Sequence, residues 1–517
     1  MKISILDCTL RDGGYVNNFN FGVRRVNQVK EKLCEANIEI IECGFLQSGK
    51  NNPDYALYGS VEQIIVPEDK QGRMFVAMIA FGEISAHEIA PRKPYYIDGM
   101  RLTFHNTEWE ETKKLAINLM EKGYKVFIQP VGTMSYTDEQ LLWLIKEVNS
   151  LKPYAFYLVD TLGSMYKNDL LRLFFIVEHN LAKGICLGFH SHNNMQLSFA
   201  NSIILLELHT DRHIIIDSTV FGMGRGAGNL NTELITHYIN NNIDKRYNLI
   251  PLLELIDDVI LPIYKDNKWG FSEPYYISAI LGLHPNYASF LIDKHSIGIA
   301  KIADILNKLT DEEKHLYKKE NVEKIYHEEM AHAIEDSVAI KEISGKINNK
   351  NVLVIAPGSS VEKYSEQINE RIKKDSPFVI SLNFIPDNIV PDLVFVSNSK
   401  RFENLCTCQS MLAVTSNIPI SANKAIYVID YDSLLSGNLD ISGIMILKLL
   451  VRIGVKKVML AGYDGFTGGT DYYNKSYENY LTPEAVNSQN TSMTELLKEI
   501  SKTLSFEFIT PSMYENI

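Results

Sequence analysis

The sequence contains no apolar run of the roughly 20 residues that a membrane-spanning helix needs, so we expect no membrane partner. It has only six cysteines in 517 residues, and their spacing fits neither a disulfide framework nor a zinc finger. The sequence also lacks an excess of positive charge: it has 51 basic and 63 acidic residues, which gives a net charge of −12. This balance argues against nucleic acid as a partner.

Signals for export and repetition are missing as well. The chain passes from Met1 straight into a strand-like run, with no signal peptide before it, and we therefore expect a cytoplasmic protein. We find no internal repeat and no low-complexity tract. A chain of 517 residues is too long for one ordinary domain, and two or three domains are expected.

Short apolar runs alternate with longer amphipathic ones over the first 240 residues. The amphipathic runs predict helices such as 24–35, 107–122, 137–151 and 195–208. Eight strands are expected between them: 3–7, 38–43, 74–80, 99–104, 125–129, 155–160, 185–189 and 214–219. A succession of βα units is typical of a TIM barrel, whose chemistry lies at the carboxyl ends of the strands. We therefore predict a TIM barrel over residues 1–244.

The rest of the chain changes character twice. Apolar residues recur at helical spacing over 245–345, which predicts a helical region appended to the barrel. From residue 351 to 517 the α/β pattern resumes, with about five strands at 352–355, 378–382, 393–396, 425–428 and 457–461. Five strands are too few for a second barrel, so a Rossmann-like α/β domain is expected.

Two histidines mark the end of one predicted strand. His190 and His192 are two residues apart, so on a strand they point to the same face and can hold one metal ion together. Asp12 follows the first strand, in the segment 9–13 (TLRDG), and is the candidate third ligand. The mixed oxygen and nitrogen set suits Mn²⁺, Mg²⁺ or Zn²⁺. Such an ion can act as a Lewis acid on an oxygen of a substrate.

Two carboxylates also lie at predicted strand ends. Glu42 and Asp160 would be buried there and would need partners. Either could orient Arg11 or a water molecule, or simply support the site.

These segments, together with 222–229 (GMGRGAGN), resemble the metal-dependent lyase and aldolase superfamily over about residues 1–300. That superfamily includes 4-hydroxy-2-oxovalerate aldolase, hydroxymethylglutaryl-CoA lyase and isopropylmalate synthase. The resemblance implies a 2-oxo acid and an aldehyde as substrates, and a homo-oligomer formed through the helical region. It also implies that Arg11 binds the keto oxygen and that Asn229 is a further metal ligand or supports one.

The chain departs from the family pattern at the catalytic base. The aldolases have a histidine three residues after the metal aspartate, where this chain has Tyr15. Either the base differs and is Tyr15, His284 or Tyr287, or the substrate differs. His284 and Tyr287 lie in a segment that resembles the one carrying a functional tyrosine in aldolases. Packing at a helix start explains Tyr287 equally well.

Two other activities of the superfamily fit less well. The lyases carry a cysteine in the glycine loop, and 222–229 has none. The acetyl-CoA-dependent acyltransferases usually have Glu-Gln where this chain has Gly14-Tyr15. The aldolase interpretation leads, and an isopropylmalate-synthase-like acyltransferase, with a nucleotide-sensing or assembly domain, is the alternative.

The C-terminal region resembles the domain shared by bacterial CMP-sialic-acid transferases and pterin-pyrophosphokinase-like proteins. Gly358 and Ser359 are small residues between a predicted strand and the start of a predicted helix, a position that suits binding of a phosphate. A tight turn with a serine cap explains this segment equally well. No histidine follows His332, so we do not expect sugar transfer by a histidine base. The resemblance implies a site for a nucleotide such as a cytidine nucleotide, or for a nucleotide-sugar of surface-polysaccharide synthesis, lined by Gly358, Ser359, Asn383, Ser442, Gly443 and Asp464.

Overall fold

The computed structural model describes residues 2–294, 297–314, 317–331, 333–405, 408–418, 420, 426–436, 439–467 and 483–517. The chain forms two compact units, one of residues 1–289 and 309–317 and the other of residues 290–308 and 318–517. Over the described ranges, we find no helix with the length and apolar character needed to cross a membrane.

The first unit is built on a closed parallel barrel. Its strands are β1 (Lys2–Asp7), β2 (Ile40–Leu46), β3 (Leu57–Tyr58), β4 (Met74–Ala80), β5 (Gly99–Phe104), β6 (Lys125–Pro130), β7 (Ala155–Asp160), β8 (Cys186–Ser191) and β9 (His213–Ser218). They are ordered β1-β9-β8-β7-β6-β5-β4-β2-β3, and β1 also pairs with β2. Eight strands thus close on themselves, with the short β3 added at β2, and the predicted TIM barrel is confirmed.

Amphipathic helices connect the barrel strands. They are α1 (Val23–Glu35), α2 (Trp109–Glu121), α3 (Asp138–Leu151), α4 (Lys167–Asn180), α5 (Ser198–Glu207) and α6 (Thr232–Asn242). In α1 the buried side chains Val26, Val29 and Leu33 recur at helical spacing. A capping box at Thr137 and Gln140 begins α3, and the Thr137 hydroxyl accepts the Gln140 amide.

Strand alternation separates two buried clusters on opposite faces of the barrel. In β9, Ile214 and Ile216 belong to the large cluster that includes residues of the surrounding helices. Ile215 between them belongs to a smaller cluster that fills the interior. Strand residues can therefore be assigned to the interior or to the helix-facing side by their parity, except in β2 after Glu42, where the register shifts.

The residues after the barrel are helical, as predicted for 245–345. They form α7 (Ile250–Leu255), a π-helical turn (Ile256–Ile260), α8 (Leu261–Asp266), α9 (Glu273–Ile280), α10 (Pro285–Ile292), α11 (Ile299–Asn307), α12 (Lys319–Met330) and α13 (Ser337–Ile347). Parts of this stretch belong to each of the two units. That it forms one appendage covering the barrel stays a prediction.

The second unit contains a separate parallel sheet. Its strands are β10 (Val352–Ile355), β11 (Phe378–Leu382), β12 (Leu393–Val396), β13 (Met411–Thr415), β14 (Ile426–Ile429), β15 (Lys457–Ala461) and β16 (Ser505–Phe508), in the order β14-β13-β12-β11-β10-β15-β16. Five of the seven strands match the prediction, and β13 and β16 were missed. The strand order reverses between β10 and β15, and parallel sheets bind ligands at the carboxyl ends of the strands at such a point.

Five helices accompany this sheet. They are α14 (Ser360–Lys363), α15 (Ser365–Asp375), α16 (Ser399–Leu405), α17 (Ser442–Ile453) and α18 (Pro483–Ile500). The apolar face of α17 is buried, with Ile444, Leu447 and Leu450 among its fully covered side chains.

Candidate functional site

Charged side chains meet inside the barrel. Glu42 and Asp217 each lie two residues beyond a member of the interior cluster, Ile40 and Ile215, so strand alternation points them inward. Between them lies Arg101, which is fully buried and donates to Glu42 Oε2 at 2.6 Å and to Asp217. A buried guanidinium without such counter-charges would cost several kcal/mol, so the two carboxylates hold Arg101 in place.

The two predicted histidines lie next to Asp12. His190 Nδ1 donates to Asp217 Oδ2 at 2.9 Å, because an ionised carboxylate can only accept. In a neutral ring this leaves a lone pair on Nε2, which lies 3.0 Å from Asp12 Oδ2. His192 Nε2 lies 3.9 Å from the same oxygen. The structure therefore brings the three predicted ligands together, with the carboxylate behind His190 that metal-binding histidines commonly have.

Two buried oxygens at this place lack a hydrogen-bond donor among the described residues when His190 is neutral, as a metal ligand must be. Asn229 Oδ1 makes no hydrogen bond in the described part of the chain, and His190 Nε2, 3.0 Å from Asp12 Oδ2, can donate to that oxygen only when its ring is protonated. Asn229 Nδ2 donates to the Met223 carbonyl at 3.0 Å, and an isolated β-bridge joins Asn229 to His192. A buried acceptor without a donor costs about 1–3 kcal/mol. A divalent cation would satisfy both oxygens, so this donor set fits the metal that the sequence predicts.

The protonation of the three ligands also fits a cation. Burial alone would raise the pKa of Asp12, but the charge of Arg11 and the two histidines hold that pKa well below its usual range. Burial lowers the pKa of His192 to about 3, so at neutral pH its ring is uncharged and one of its two nitrogens has a free lone pair. Burial also opposes charge on His190, but Asp12 and Asp217 outweigh it and raise the pKa of His190. A proton and a metal ion therefore compete for His190 Nε2.

A cysteine lies close enough to be considered as a fourth ligand. Cys8 Sγ, an Asp12 oxygen and a His190 nitrogen all lie within 4.8 Å of one another. However, the thiol donates to the Ser218 carbonyl at 3.3 Å, and burial raises the pKa of Cys8 well above its usual value. The thiol therefore stays protonated and is a poor ligand.

Arg11 presents an unused donor beside the ligands. Its Nε donates to Glu42 Oε2 at 2.9 Å, and its Nη1 lies 3.4 Å from Asp12 Oδ1. Its Nη2 is buried and has no hydrogen-bond partner within the described part of the chain. Of the roles considered for Glu42, the geometry favours orientation of Arg11.

Asp160 lies on the other face of the barrel wall. Tyr157 and Val159 belong to the interior cluster, so alternation turns Asp160 toward the helices. Its carboxylate accepts the backbone amides of Ser164 at 3.0 Å and Met165 at 3.1 Å, and burial raises its pKa to about 6. Asp160 therefore holds the loop after β7, and it does not join the inward carboxylates that pair with Arg11 and Arg101.

The three candidates for the catalytic base differ in what they contact. Tyr287 is fully buried and its hydroxyl donates to the Glu313 carbonyl at 2.9 Å, which favours a packing role. His284 Nδ1 accepts the Asn286 amide at 3.2 Å, and burial lowers its pKa to about 3. The neutral ring therefore carries its proton on Nε2, where it is a donor. Tyr15, whose pKa is raised by burial, packs its ring against Phe45.

The sequence reasoning missed two residues of this site. Asp217 is the single charge in an otherwise apolar run, Ile-Ile-Ile-Asp, and that isolated charge is the signal that could have identified it. Arg225 lies in the glycine loop, and its guanidinium carbon lies 3.8 Å from the centre of the Tyr15 ring. Arg225 is the one charged residue in that glycine-rich loop, and this isolated charge is the signal that could have identified it.

A cleft in the second unit brings together most of the other predicted residues. It has a volume of about 430 Å³ and lies where β10, β11 and β15 end. Ser359 is adjacent to the lining, and its hydroxyl lies 3.5 Å from the Asp464 carboxylate. Five of the six predicted residues line the cleft: Gly358, Asn383, Ser442, Gly443 and Asp464.

Polar contacts fix the walls of this cleft. Asn383, in a left-handed conformation at φ 60°, donates to Ser442 Oγ at 2.8 Å and accepts the Ser397 amide at 2.9 Å. A Cβ on Gly358 would lie 2.4 Å from the Gly462 carbonyl, so only glycine fits there.

The helix start predicted to hold a phosphate is already in use. The Ser360 amide donates to Asp464 Oδ2 at 2.8 Å, and the Ser360 hydroxyl donates to Asp464 Oδ1. The helix that begins there, α14, has four residues. A carboxylate therefore occupies the position that the sequence assigns to a phosphate, and Asp464, instead of the serine side chain of the alternative explanation, caps this helix start.

Comparison with known proteins bears on the first unit. Residues 108–259 match the family model described as HMGL-like. The oxaloacetate decarboxylase of Mycobacterium tuberculosis (strain ATCC 25618 / H37Rv) is 26% identical over 240 residues, which cover 45% of this chain and 68% of that protein. The 4-hydroxy-2-oxovalerate aldolase of Bacillus thuringiensis (strain Al Hakam) is 27% identical over 305 residues, which cover 56% of this chain and 84% of that protein.

A second aldolase and a solved structure give similar coverage. The 4-hydroxy-2-oxovalerate aldolase of Geobacillus thermodenitrificans (strain NG80-2) is 25% identical over 298 residues, 56% of this chain and 83% of that protein. The N-terminal domain of a putative aldolase from Bacteroides vulgatus covers 56% of this chain and 96% of its own, with 24% identity and a TM-score of 0.47. Residues 108–259 are thus similar to the HMGL-like family, and the chain is similar to 4-hydroxy-2-oxovalerate aldolases over 56% of its length.

Proposed function

We propose that the barrel is a divalent-metal-dependent carbon–carbon lyase that makes or breaks a bond next to a 2-oxo acid. The observation that carries this proposal is the pair of buried oxygens without donors, on Asp12 and Asn229, beside His190 and His192. The names of the relatives, an oxaloacetate decarboxylase and 4-hydroxy-2-oxovalerate aldolases, both contain a 2-oxo acid and support the choice of substrate.

Each inward residue has a separate task in this proposal. The cation, held by Asp12, His190, His192 and Asn229, would supply a Lewis acid for the keto group. Arg11 donates from its unused Nη2 to the keto oxygen, where negative charge develops as the bond breaks. Glu42 holds Arg11 by its Nε, so the donor is oriented before the substrate arrives.

Tyr15 is the best placed of the three candidates for proton transfer. The Tyr287 hydroxyl and His284 Nδ1 are already engaged with backbone groups. The Tyr15 ring lies between Phe45 and the Arg225 guanidinium, and Arg225 counteracts the effect of burial on its pKa. We assign Tyr15 the role that a histidine has in the aldolases.

The proposal is tested by following pyruvate release from 4-hydroxy-2-oxopentanoate and from oxaloacetate. We expect activity in Mn²⁺ or Mg²⁺, loss of that activity in excess chelator, and recovery when the metal is restored. His192→Ala should be inactive, while His179→Ala, a change at an exposed histidine on α4, should keep full activity. Full activity in chelator, or in His192→Ala, would rule out the proposed metal mechanism.

We further propose that the cleft of the second unit binds a cytidine nucleotide or a nucleotide-sugar. Its position where the strand order reverses supports a ligand site, and its hydroxyl and amide groups suit a base and a ribose. If both sites act, one chain would make a sugar acid and bind its activated form.

Binding of CMP and CTP by the full chain tests this second proposal. Calorimetry should give saturable binding that weakens in Ser442→Ala, because Ser442 lies on the cleft wall. Ser501→Ala, in the turn after α18, is the control and should bind as wild type does. An absence of CMP and CTP binding at millimolar concentration would contradict a nucleotide site.

A further inference from the structure

Arg225 lies on a rigid loop at the edge of the proposed metal centre. The loop is fixed from three sides by hydrogen bonds: the Asn193 amide to the Gly228 carbonyl at 2.8 Å, the Gly270 amide to the Gly226 carbonyl at 3.2 Å, and the Ala227 amide to the Asn194 side chain at 2.9 Å. The backbone of Arg225 is therefore held in one position.

The guanidinium of Arg225 has no anionic partner. It makes no ion pair or hydrogen bond with any residue in the described ranges, although it is partly buried over the Tyr15 ring. Other arginines of the barrel are paired: Arg11 with Glu42, Arg101 with Glu42 and Asp217, and Arg212 with Glu178. Partial desolvation of an unpaired cation is unfavourable, so the position favours an anion that is not part of the chain.

Arg225 lies close to residues of the proposed metal centre. Tyr15 lies three residues after the ligand Asp12, and its ring stacks on the guanidinium at 3.8 Å. Asn229, another of the proposed ligands, is four residues further along the same loop. After burial, the charge of Arg225 is the next influence on the pKa of both Tyr15 and His284. The charge of Arg225 therefore contacts Tyr15 and acts on His284 and on the proposed ligand His192, which puts it beside the metal ligands.

We propose that Arg225 binds a second carboxylate of the substrate, so that the barrel selects a 2-oxo dicarboxylic acid. This inference rests on the proposed function, in which Arg11 and the cation take the keto end. Arg11 cannot serve the second carboxylate, because its charge is already balanced by Glu42 and Asp12. One free guanidinium matches one carboxylate, whereas a phosphate would bring a charge of about −1.5 to −2.

Two five-carbon acids that differ only in the second carboxylate provide the test. Calorimetry on the Mn²⁺-loaded full chain would compare 2-oxoglutarate with 2-oxopentanoate. Wild type should bind 2-oxoglutarate more tightly, and Arg225→Gln should weaken that binding by about 10–100-fold, the effect of one charged hydrogen-bonded pair. Binding of 2-oxopentanoate should not change, and Arg225→Lys should recover part of the lost affinity.

The control is Arg172→Gln, which removes an exposed arginine paired with Asp138 on the barrel surface. It should leave both affinities unchanged. Equal affinity of wild type for the two acids, or equal weakening of both in Arg225→Gln, would overturn the assignment of Arg225. Binding of neither acid to the Mn²⁺-loaded wild type would instead contradict the proposed function itself, so the two failures are distinguishable.

Discussion

At the scale of single residues, Asp217 connects the buried arginine to the metal ligands. Its carboxylate accepts from Arg101 and from His190 Nδ1. Because the second contact fixes the proton on Nδ1, Nε2 of His190 is left to face Asp12. Asp217 thus sets the ligand atom without being a ligand.

The change Asp217→Asn should weaken metal binding more than it alters the fold. His190 and Arg101 both donate to the same oxygen of Asp217, Oδ2, and a neutral amide oxygen in that position is a weaker acceptor for both. We expect the dissociation constant for Mn²⁺ to rise by about 10–100-fold, the usual effect of losing such a partner. Titration with Mn²⁺ followed by electron paramagnetic resonance measures it.

Asp98→Asn is a matched control for this prediction. Asp98 is a buried carboxylate of the same barrel, held by Lys70 at 2.9 Å and Arg92 at 2.6 Å. Both variants should lose stability, by roughly 1–3 kcal/mol, because each leaves buried donors without their charged acceptor. Only Asp217→Asn should lose metal affinity; equal affinities in the two variants would refute the role of Asp217.

Tyr15 and Tyr287 form a second matched pair. In Tyr15→Phe the ring that packs against Arg225 remains and only the hydroxyl is lost, so we expect kcat to fall by about 10²–10⁴-fold, the usual share of a proton-transfer group. In Tyr287→Phe the lost bond to Glu313 should cost about 1 kcal/mol of stability and little activity. Pyruvate release and urea unfolding measure the two effects; the reverse pattern would assign the base to Tyr287.

The metal ligands could be predicted because their signal is local. His190 and His192 are spaced for one face of a strand, and Asp12 follows another strand end. Asp217 could not be assigned a partner in the same way, because Arg101 lies on β5 and His190 on the neighbouring strand β8, 116 and 27 residues away in the sequence. Such pairing depends on barrel closure, which no local pattern contains.

At the scale of elements, the loop after β7 shows why a strand-end carboxylate need not belong to the site. Asp160 lies at the end of β7, as predicted, but the alternation of side chains along the strand turns it away from the barrel interior. Parity relative to the barrel becomes known only when one residue of each strand has been assigned to a face. Asp160 accepts the amides of Ser164 and Met165 and so fixes the loop.

Because Asp160 titrates, its contribution to the stability of the folded protein should depend on pH. Burial raises the pKa of Asp160 from 3.8 to about 6 in the folded state. The stability that the group contributes is therefore fully present below about pH 4 and lost as the pH rises through 6. Relative to wild type, Asp160→Asn should gain about 3 kcal/mol between pH 4 and pH 7. Urea unfolding of both proteins measures this difference, and parallel pH profiles would contradict it.

Two strands of the second unit, β13 and β16, could not be predicted because their sequences are short and give a weak signal. The residues of β16 (Ser505–Phe508) alternate, with Glu507 between two phenylalanines, and form a half-buried strand at the sheet edge. The run of β13 (Met411–Thr415) is short and directly follows a polar segment. Strands of four or five residues give little periodic signal, in contrast to the seven-residue run of β4 (Met74–Ala80).

At the scale of the whole molecule, the chain has two candidate sites on two sheets of different topology. The relatives named above cover 45% to 56% of its length and bear on the barrel. The nucleotide proposal for the second unit therefore depends on its cleft and on the point where the strand order reverses. A homo-oligomer and a cytoplasmic location stay predictions of the sequence.

The most direct test of the central claim is the metal content of the purified chain after equilibrium dialysis against Mn²⁺. The account predicts about one tightly held ion per chain, the number that one set of protein ligands can hold. The ion should be lost in the double variant His190→Ala/His192→Ala and kept in the control His179→Ala. The same metal content in all three proteins, or none in wild type, would contradict a metal centre in the barrel.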